Sequence, residues 1–165
     1  MFKEIKMLPL PKGWEVLVWE QKKLRDLWEK LQKDPWFFED LGGNQQVMMG
    51  QFMDLTTIPL VGKEGFILFT GILPGKKATM KFKFWDGTVK GKEELLKELI
   101  LWLFLTFKIE RLEYYTLPFK RGEIRILETK LGFTYEGTLR KVFRKKDKRF
   151  NLKLFSILKD ELIEK

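Results

Sequence analysis

Cysteine and histidine are both missing from the 165-residue sequence. The lack of cysteine excludes disulfides and thiol nucleophiles, and the lack of both excludes the usual zinc sites. Without histidine there is also no Ser-His-Asp triad and no imidazole base. Any proton transfer must therefore use carboxylates, lysine, tyrosine, threonine, water or the substrate itself.

Long apolar runs and linkers are missing as well. The longest apolar run, Leu99 to Phe107, is too short to cross a bilayer, and Met1-Phe2-Lys3-Glu4 is unlike the start of a signal peptide. We therefore expect a cytoplasmic protein without a membrane span. Because no repeat or low-complexity segment divides the chain, we expect one domain over residues 1–165. The 44% hydrophobic content, with 15 Phe and 6 Trp, is enough for its core.

Uncharged polar residues are scarce, and Ser156 is the only serine. The 33% content of charged residues is typical of proteins from hyperthermophiles. The formal net charge is +9, which favours phosphates or acidic partners. Heat adaptation and a nucleic-acid or acidic partner both explain this charge, and no recognised nucleic-acid motif accompanies it.

The hydrophobic pattern alternates between strand and helix spacing along the chain. The clearest strand is Ala78 to Trp85, where Met80, Phe82 and Phe84 share one face. The predicted strands are residues 14–19, 45–55, 65–71, 78–85, 111–116, 133–144 and 149–158, and the predicted helices are residues 21–33, 93–107 and 123–131. This order predicts an α/β or α+β sheet with helices on its faces.

A loop from Asp86 to Lys92 joins the clearest strand to the helix that begins at Glu93. Unpaired backbone N–H groups and the helix dipole favour anions at such a junction. The loop is therefore a candidate phosphate site, although most junctions of this kind bind nothing.

Two segments resemble the GNAT family of N-acetyltransferases. Residues 88–93, Thr-Val-Lys-Gly-Lys-Glu, resemble the family's pyrophosphate loop, Gln/Arg-x-x-Gly-x-Gly/Ala, with Thr88 and Glu93 departing from it. Leu131-Gly132-Phe133, followed by Glu136-Gly137, resembles the ribosomal-protein and amino-acid N-acetyltransferase branch. The resemblance implies a GNAT fold, with a mixed, mostly antiparallel sheet of about six to seven strands and helices on both faces.

The resemblance also implies acetyl-CoA as cofactor and a primary amine as acceptor, on a protein N-terminus, an amino acid or a small amine. Arg121 lies near the position where the family often has an asparagine beside the cofactor. The expected cofactor-binding residues are Phe84, Trp85, Val89, Lys90, Gly91, Lys92, Glu93 and Arg121.

Three residues are candidates for proton transfer. Asp86 ends the fourth predicted strand, and Glu113 and Tyr115 lie on the next one. Some family members have a catalytic tyrosine where this chain has Glu128. An ordinary turn also explains Asp86-Gly87, and simple thioester acyl transfer needs no strong base if the amine is well placed.

Two further segments have more than one explanation. The aromatics Trp36-Phe37-Phe38, followed by Glu39-Asp40, are consistent with a substrate wall, a homodimer contact or core packing. The basic hairpin at residues 140–153 is consistent with an acidic protein or RNA acceptor, or with a lysine-protected sheet edge. A GNAT-fold protein without acyl transfer, serving as a binding or structural module, is the alternative function. A nucleic-acid-associated protein is a third one, based on charge alone.

Overall fold

The computed structural model describes residues 5–38 and 45–163. Its strands are β1 (Trp14–Val16), β2 (Ile58–Gly62), β3 (Gly65–Leu73), β4 (Lys77–Phe84), β5 (Arg111–Thr116), β6 (Thr134–Lys145) and β7 (Lys148–Leu158). Its α-helices are α1 (Gln21–Leu31), α2 (Gln45–Phe52), α3 (Glu93–Phe107), α4 (Arg121–Ile126) and α5 (Lys159–Ile163). Helix α4 continues into a π-helical turn over Leu127–Leu131.

The seven strands form one sheet in the order β1-β2-β3-β4-β5-β7-β6. Strands β4 and β5 pair in parallel, and the other neighbouring strands pair antiparallel. This confirms the mixed, mostly antiparallel sheet that the family resemblance implies. No helix in the described part of the chain is long and apolar enough to span a membrane.

Each face of the sheet has its own hydrophobic core. One core packs α3, α4 and α5 against the face that includes Ile67, Met80 and Phe82. The other packs α1 and the aromatic segment 36–38 against Phe66 and Leu68. Alternation along the strands directs neighbouring side chains to opposite cores, and it confirms the prediction of helices on both faces.

Helix α3 is the most deeply buried helix. Glu93 and Glu94 occupy its first turn, where their charge complements the helix dipole, and Lys108 ends it in the left-handed conformation with φ of 55°. Eight of its side chains are buried. The indole N–H of Trp102 donates to the Leu8 carbonyl at 2.7 Å, which fastens the chain before β1 to this helix.

Between α1 and β3, one prediction is wrong and one strand was missed. Residues 45–55 are not a strand, because Gln45–Phe52 is helical and Phe52 packs against Phe66 at a ring distance of 5.6 Å. Strand β2 was not predicted, because Pro59 lacks the N–H that a strand normally donates. The Pro59 carbonyl accepts a hydrogen bond from the Leu17 N–H, at the end of β1. The missing N–H of Pro59 is tolerated there because β1 does not pair with β2 beyond this point.

The predicted C-terminal hairpin is confirmed, with a tighter turn than expected. Lys146 and Asp147 form a two-residue turn with φ of 49° and 62°, which fits the right-handed twist of the strands. The pairing slips between Leu139 and Phe143, where Lys141 has φ of 54° and donates its N–H to the Asn151 side chain. A bulge therefore interrupts β6, the outermost strand.

Gly65 provides a test of the packing between β3 and β4. A Cβ at this position would lie 2.3 Å from the Lys83 carbonyl oxygen, which is backbone and cannot move aside. We expect Gly65→Ala to lower the free energy of unfolding by about 1–3 kcal/mol. Guanidinium denaturation measures it. Gly122→Ala is the matched control, since no described atom lies within 4 Å of its added Cβ. Equal stability of the two variants would contradict the packing.

Candidate active site

The central feature of the site is an opening between β4 and β5. Their pairing begins at Lys77–Arg111 and ends at Met80–Tyr114, although β4 continues to Phe84. Trp85 donates its N–H to Glu64 on the β3 side. Because backbone groups alternate sides along a strand, the Phe82 N–H points to the β5 side, into the opening.

A cavity of about 1030 Å³ extends from this opening over the face that carries α1 and α2. Met80, Phe82 and Tyr114 contribute to it at the opening. Aromatic side chains form one wall, namely Trp36, Phe37, Phe38 and Phe143. The volume and apolar walls are those of a site for an organic molecule.

The aromatic wall joins the hairpin to the rest of the site. The Trp36 ring lies 5.1 Å from Phe150, 6.3 Å from Phe143 and 5.0 Å from Phe119. The Lys145 ammonium donates to the Phe38 carbonyl at 3.1 Å. The segment Trp36-Phe37-Phe38 therefore contributes both to core packing and to a wall of the cavity. Glu39-Asp40 lies outside the described residues.

Charged lysines of β4 occupy the cavity face of the sheet. The Lys81 ammonium lies 4.3 Å from the Phe37 ring centre and 4.9 Å from that of Phe38. Lys83 pairs with Asp34 at 3.2 Å. Burial raises the pKa of Asp34, but the Trp36 amide and the Lys83 charge lower it more, so Asp34 remains ionised. Strand β4 thus presents cations on the sheet face over which the cavity extends.

The predicted residues Glu113 and Tyr115 lie together beside the cavity. Tyr115 lines it and donates its hydroxyl to Glu113 Oε2 at 3.3 Å. Glu113 Oε1 also accepts from Arg111 Nε at 3.1 Å and lies 3.6 Å from the Lys77 ammonium. Burial, and then the Glu113 charge, raise the pKa of Tyr115. Tyr115 therefore carries its proton at neutral pH and can donate it.

A second hydroxyl–carboxylate cluster at the cavity was missed by sequence reasoning. Tyr114 and Thr116 line the cavity, and Thr116 donates to Glu123 Oε2 at 2.8 Å. Burial, with the nearby Glu123 charge, raises the pKa of Tyr114 well above its usual range. The sequence signal for this cluster is the i, i+2 spacing of the Tyr114 and Thr116 hydroxyls on one strand, because Glu123 belongs to another element.

Asp86 lies in the loop after β4 and is not among the residues that line the cavity. Its carboxylate accepts from the Lys92 ammonium at 2.6 Å and from the Thr88 N–H at 3.1 Å. The Lys92 hydrogen bond is the main reason why the pKa of Asp86 is lowered. Thr88 in turn accepts from the Lys90 N–H at 3.1 Å. Asp86 therefore orders the loop.

The Glu93 carboxylate occupies the anion position at the start of α3. The backbone N–H groups of Glu93 itself and of Gly91 lower the pKa of this carboxyl group. Gly91 has φ of 84°, a conformation that side chains resist. The loop amides therefore favour a negative charge at this point, as a phosphate site would require.

The remaining predicted residues do not share one surface. Phe84 and Val89 are buried in the core under α3, and Trp85 packs against the core under α1. Lys90 and Gly91 are exposed on the loop, and Arg121 is exposed at the first position of α4. The buried residues support the loop, and the exposed ones are accessible to a ligand.

No protein-family model matches the sequence. No curated protein matches it either. Among solved structures, spermidine N-acetyltransferase SpeG from Vibrio cholerae, in complex with CoA and spermine, is similar with a TM-score of 0.71 and 15% identity, over 93% of this chain and 99% of that one. A GNAT-family acetyltransferase from Bacillus anthracis is similar with a TM-score of 0.68 and 16% identity, over 95% and 99%. The chain therefore has the fold of GNAT acetyltransferases.

Trp36 provides a test of the contact between the aromatic wall and the hairpin. We expect Trp36→Ala to speed amide hydrogen exchange in residues 143–150, because the ring contacts with Phe143 and Phe150 are lost. Exchange in β3 and β4 should not change. Trp19→Ala is the matched control, since Trp19 is exposed and lies before α1. Unchanged exchange in the hairpin would show that Trp36 does not hold it.

Proposed function

We propose that the protein is an acetyl-CoA-dependent N-acetyltransferase that acts on a primary amine. The observation that carries this proposal is the opening between β4 and β5. It directs the Phe82 N–H toward a cavity large enough for an acceptor. The likeness to acetyltransferase structures, one of them containing CoA, supports it.

The loop residues fit the phosphates of the cofactor. The Gly91 and Glu93 amides already favour the charged form of the Glu93 carboxyl group, and Lys90 and Lys92 lie next to them in the chain. No described atom lies within 4 Å of the position that a Gly91 Cβ would take, so this backbone can be approached. The cofactor phosphates would take the place of the Glu93 carboxylate beside these amides. The bound cofactor would supply the acetyl thioester.

The chain's own residues would do the rest of the work. The aromatic wall and β4 position the amine against the thioester carbonyl, which replaces a bimolecular encounter by a fixed geometry. The Phe82 N–H would donate to the thioester carbonyl oxygen. Tyr115, protonated at neutral pH, would provide a proton for the thiolate leaving group, and the proton lost by the amine would pass to water.

The ribosomal-protein and amino-acid branch is the finer form of this proposal. It depends on Leu131-Gly132-Phe133 and Glu136-Gly137 in the sequence. Gly132 ends the π-helical turn in the left-handed conformation with φ of 81°, so it has a structural role that any branch would need. These residues support the fold more than the acceptor.

A binding or structural module without acyl transfer is the second candidate. The observation that favours it is the loop, where Asp86 and Thr88 accept hydrogen bonds from two of its amides and the Gly91 amide helps to lower the pKa of Glu93. In that case the self-contained loop would hold α3 in place and would not release its amides to phosphates. Titration with the cofactor distinguishes the two functions.

Glu93 supplies the deciding experiment. We expect calorimetry to detect acetyl-CoA binding, and we expect Glu93→Ala to bind it several-fold more tightly, because the variant removes a competing negative charge. Glu98→Ala, on the exposed side of α3, is the matched control and should bind like the native protein. Native protein and Glu93→Ala that both fail to bind at millimolar cofactor would end the transferase proposal.

Tyr115 supplies a kinetic prediction. We expect Tyr115→Phe to lower kcat by about 100-fold, as loss of a general acid does, with little change in KM for acetyl-CoA. Tyr135→Phe is the control, because Tyr135 is exposed and is not among the residues that line the cavity. Since the Glu113 charge raises the Tyr115 pKa, Glu113→Gln should shift the alkaline limb of kcat to lower pH. An unmoved limb would argue against Tyr115 as the acid.

A further inference from the structure

The charged groups at the cavity already interact with other parts of the protein. Within the described part of the chain, the charged residues that line it are Asp54, Lys81 and Lys120. Lys81 lies over two rings of the aromatic wall, and the Lys120 charge attracts that of Asp34. The Asp54 carboxylate accepts from the Thr56 hydroxyl at 2.6 Å and from the Thr56 N–H at 2.8 Å.

The carboxylates beside the cavity have partners as well. The pairs are Asp34 with Lys83 at 3.2 Å, Glu113 with Arg111 at 3.1 Å, and Glu123 with the Thr116 hydroxyl at 2.8 Å. Because cations and carboxylates occur together around the cavity, no single sign of charge selects the acceptor there. The neutral polar groups of the cavity therefore have the larger part in distinguishing one amine from another.

Hydroxyl groups are concentrated at the cavity. The sequence has ten threonines and 3 tyrosines, and five of the threonines and two of the tyrosines line it. These residues are Thr56, Thr57, Thr70, Thr79, Tyr114, Tyr115 and Thr116. In a chain with a single serine, such a concentration of hydroxyl groups is a property of this cavity rather than of the surface in general.

Two of these threonines, Thr70 and Thr79, form a pair on the sheet side of the cavity. Thr70 on β3 lies directly opposite Thr79 on β4, and Thr79 lies opposite Glu113 on β5. Opposite residues of neighbouring strands direct their side chains to the same face of a sheet. Tyr115 follows Glu113 by two residues, which places the threonine pair about 7 Å from Tyr115 along the strand direction.

The hydroxyls of the threonine pair are available to a ligand. Within the described part of the chain, no side-chain hydrogen bond involves Thr57, Thr70 or Thr79. Each of them is partly buried, so it is shielded from bulk water and yet accessible from the cavity. A threonine hydroxyl can both donate and accept a hydrogen bond, and hydroxyl groups of a ligand would match it in both respects.

We propose that the acceptor is an amino sugar, with its amine at Tyr115 and its hydroxyl groups at the threonine pair. This inference rests on the proposed N-acetyltransferase function. A sugar ring has apolar C–H faces and a polar edge of hydroxyls, which matches a cavity with an aromatic wall and a hydroxyl-lined side. The separation of about 7 Å between Tyr115 and the threonine pair fits one ring with its substituents.

The experiment compares two amines on six-membered rings, one with hydroxyl groups and one without. Glucosamine and cyclohexylamine are each supplied with acetyl-CoA, CoA release and product mass are measured, and kcat/KM is expressed per concentration of unprotonated amine. We expect the value for glucosamine to be at least about tenfold higher, because cyclohexylamine leaves the threonine hydroxyls without partners. Spermidine and the dipeptide Met-Ala represent other classes of acceptor.

Variants of the threonine pair locate the selectivity. Thr79→Val removes one hydroxyl and keeps the branched shape, and we expect it to lower kcat/KM for glucosamine about tenfold more than that for cyclohexylamine. Thr79→Ser retains a hydroxyl and should restore the preference. Thr70→Val is the second variant, in case the first does not fold. Thr134→Val is the matched control, since Thr134 is exposed on β6 and is not among the residues that line the cavity.

The outcomes separate the two proposals. If none of the four amines releases CoA, the proposed transferase function fails and this inference fails with it. If transfer occurs with cyclohexylamine, spermidine or Met-Ala preferred, the inference alone is overturned. It is also overturned if the valine variants lower kcat/KM for glucosamine and cyclohexylamine equally, because the hydroxyls would then support only the fold.

Discussion

The parting of two neighbouring strands is the constraint on which the site depends. Strands β4 and β5 are hydrogen-bonded for four residues and then diverge, because each is held by different partners. On the cavity side, Lys83 pairs with Asp34, and Lys81 lies over Phe37 and Phe38. On the other side, the Thr116 and Glu123 pair holds the end of β5 to α4. Side-chain contacts with different partners, beyond the last hydrogen-bonded pair of β4 and β5, therefore hold the two strands apart.

The parts of the fold that the sequence predicts are those set by local patterns. The alternation over Ala78 to Trp85 identified β4, and the apolar run after Glu93 identified α3 to the residue. The helix predicted over residues 123–131 ends at Gly132, which has a left-handed conformation. Strand β2 escaped prediction because Pro59 argues against a strand unless its neighbour is known to end beside it. Helix α2 shows no regular spacing of apolar residues in the sequence. Phe52, its last residue, packs against Phe66, which is distant in the chain.

The sequence predicts the residues of the site only where a single segment of the chain contains them. The loop from Asp86 to Lys92 and the pair of Glu113 and Tyr115 follow from sequence position. The position of Lys81 over two aromatic rings and the approach of Glu123 to Thr116 join residues from separate elements. The count of charged residues indicated only that the protein has a net positive charge. The fold determines which of those charges face the cavity.

The interruption in β6 has a further consequence for the free edge of the sheet. An outermost strand offers unpaired N–H and carbonyl groups to any passing chain. Here the slip between Leu139 and Phe143, with Lys141 in a left-handed conformation, breaks that row into two short pieces. A strand from another molecule would find neither a continuous ladder nor a neutral surface. This edge of the sheet is thereby protected against pairing with the edge of another molecule.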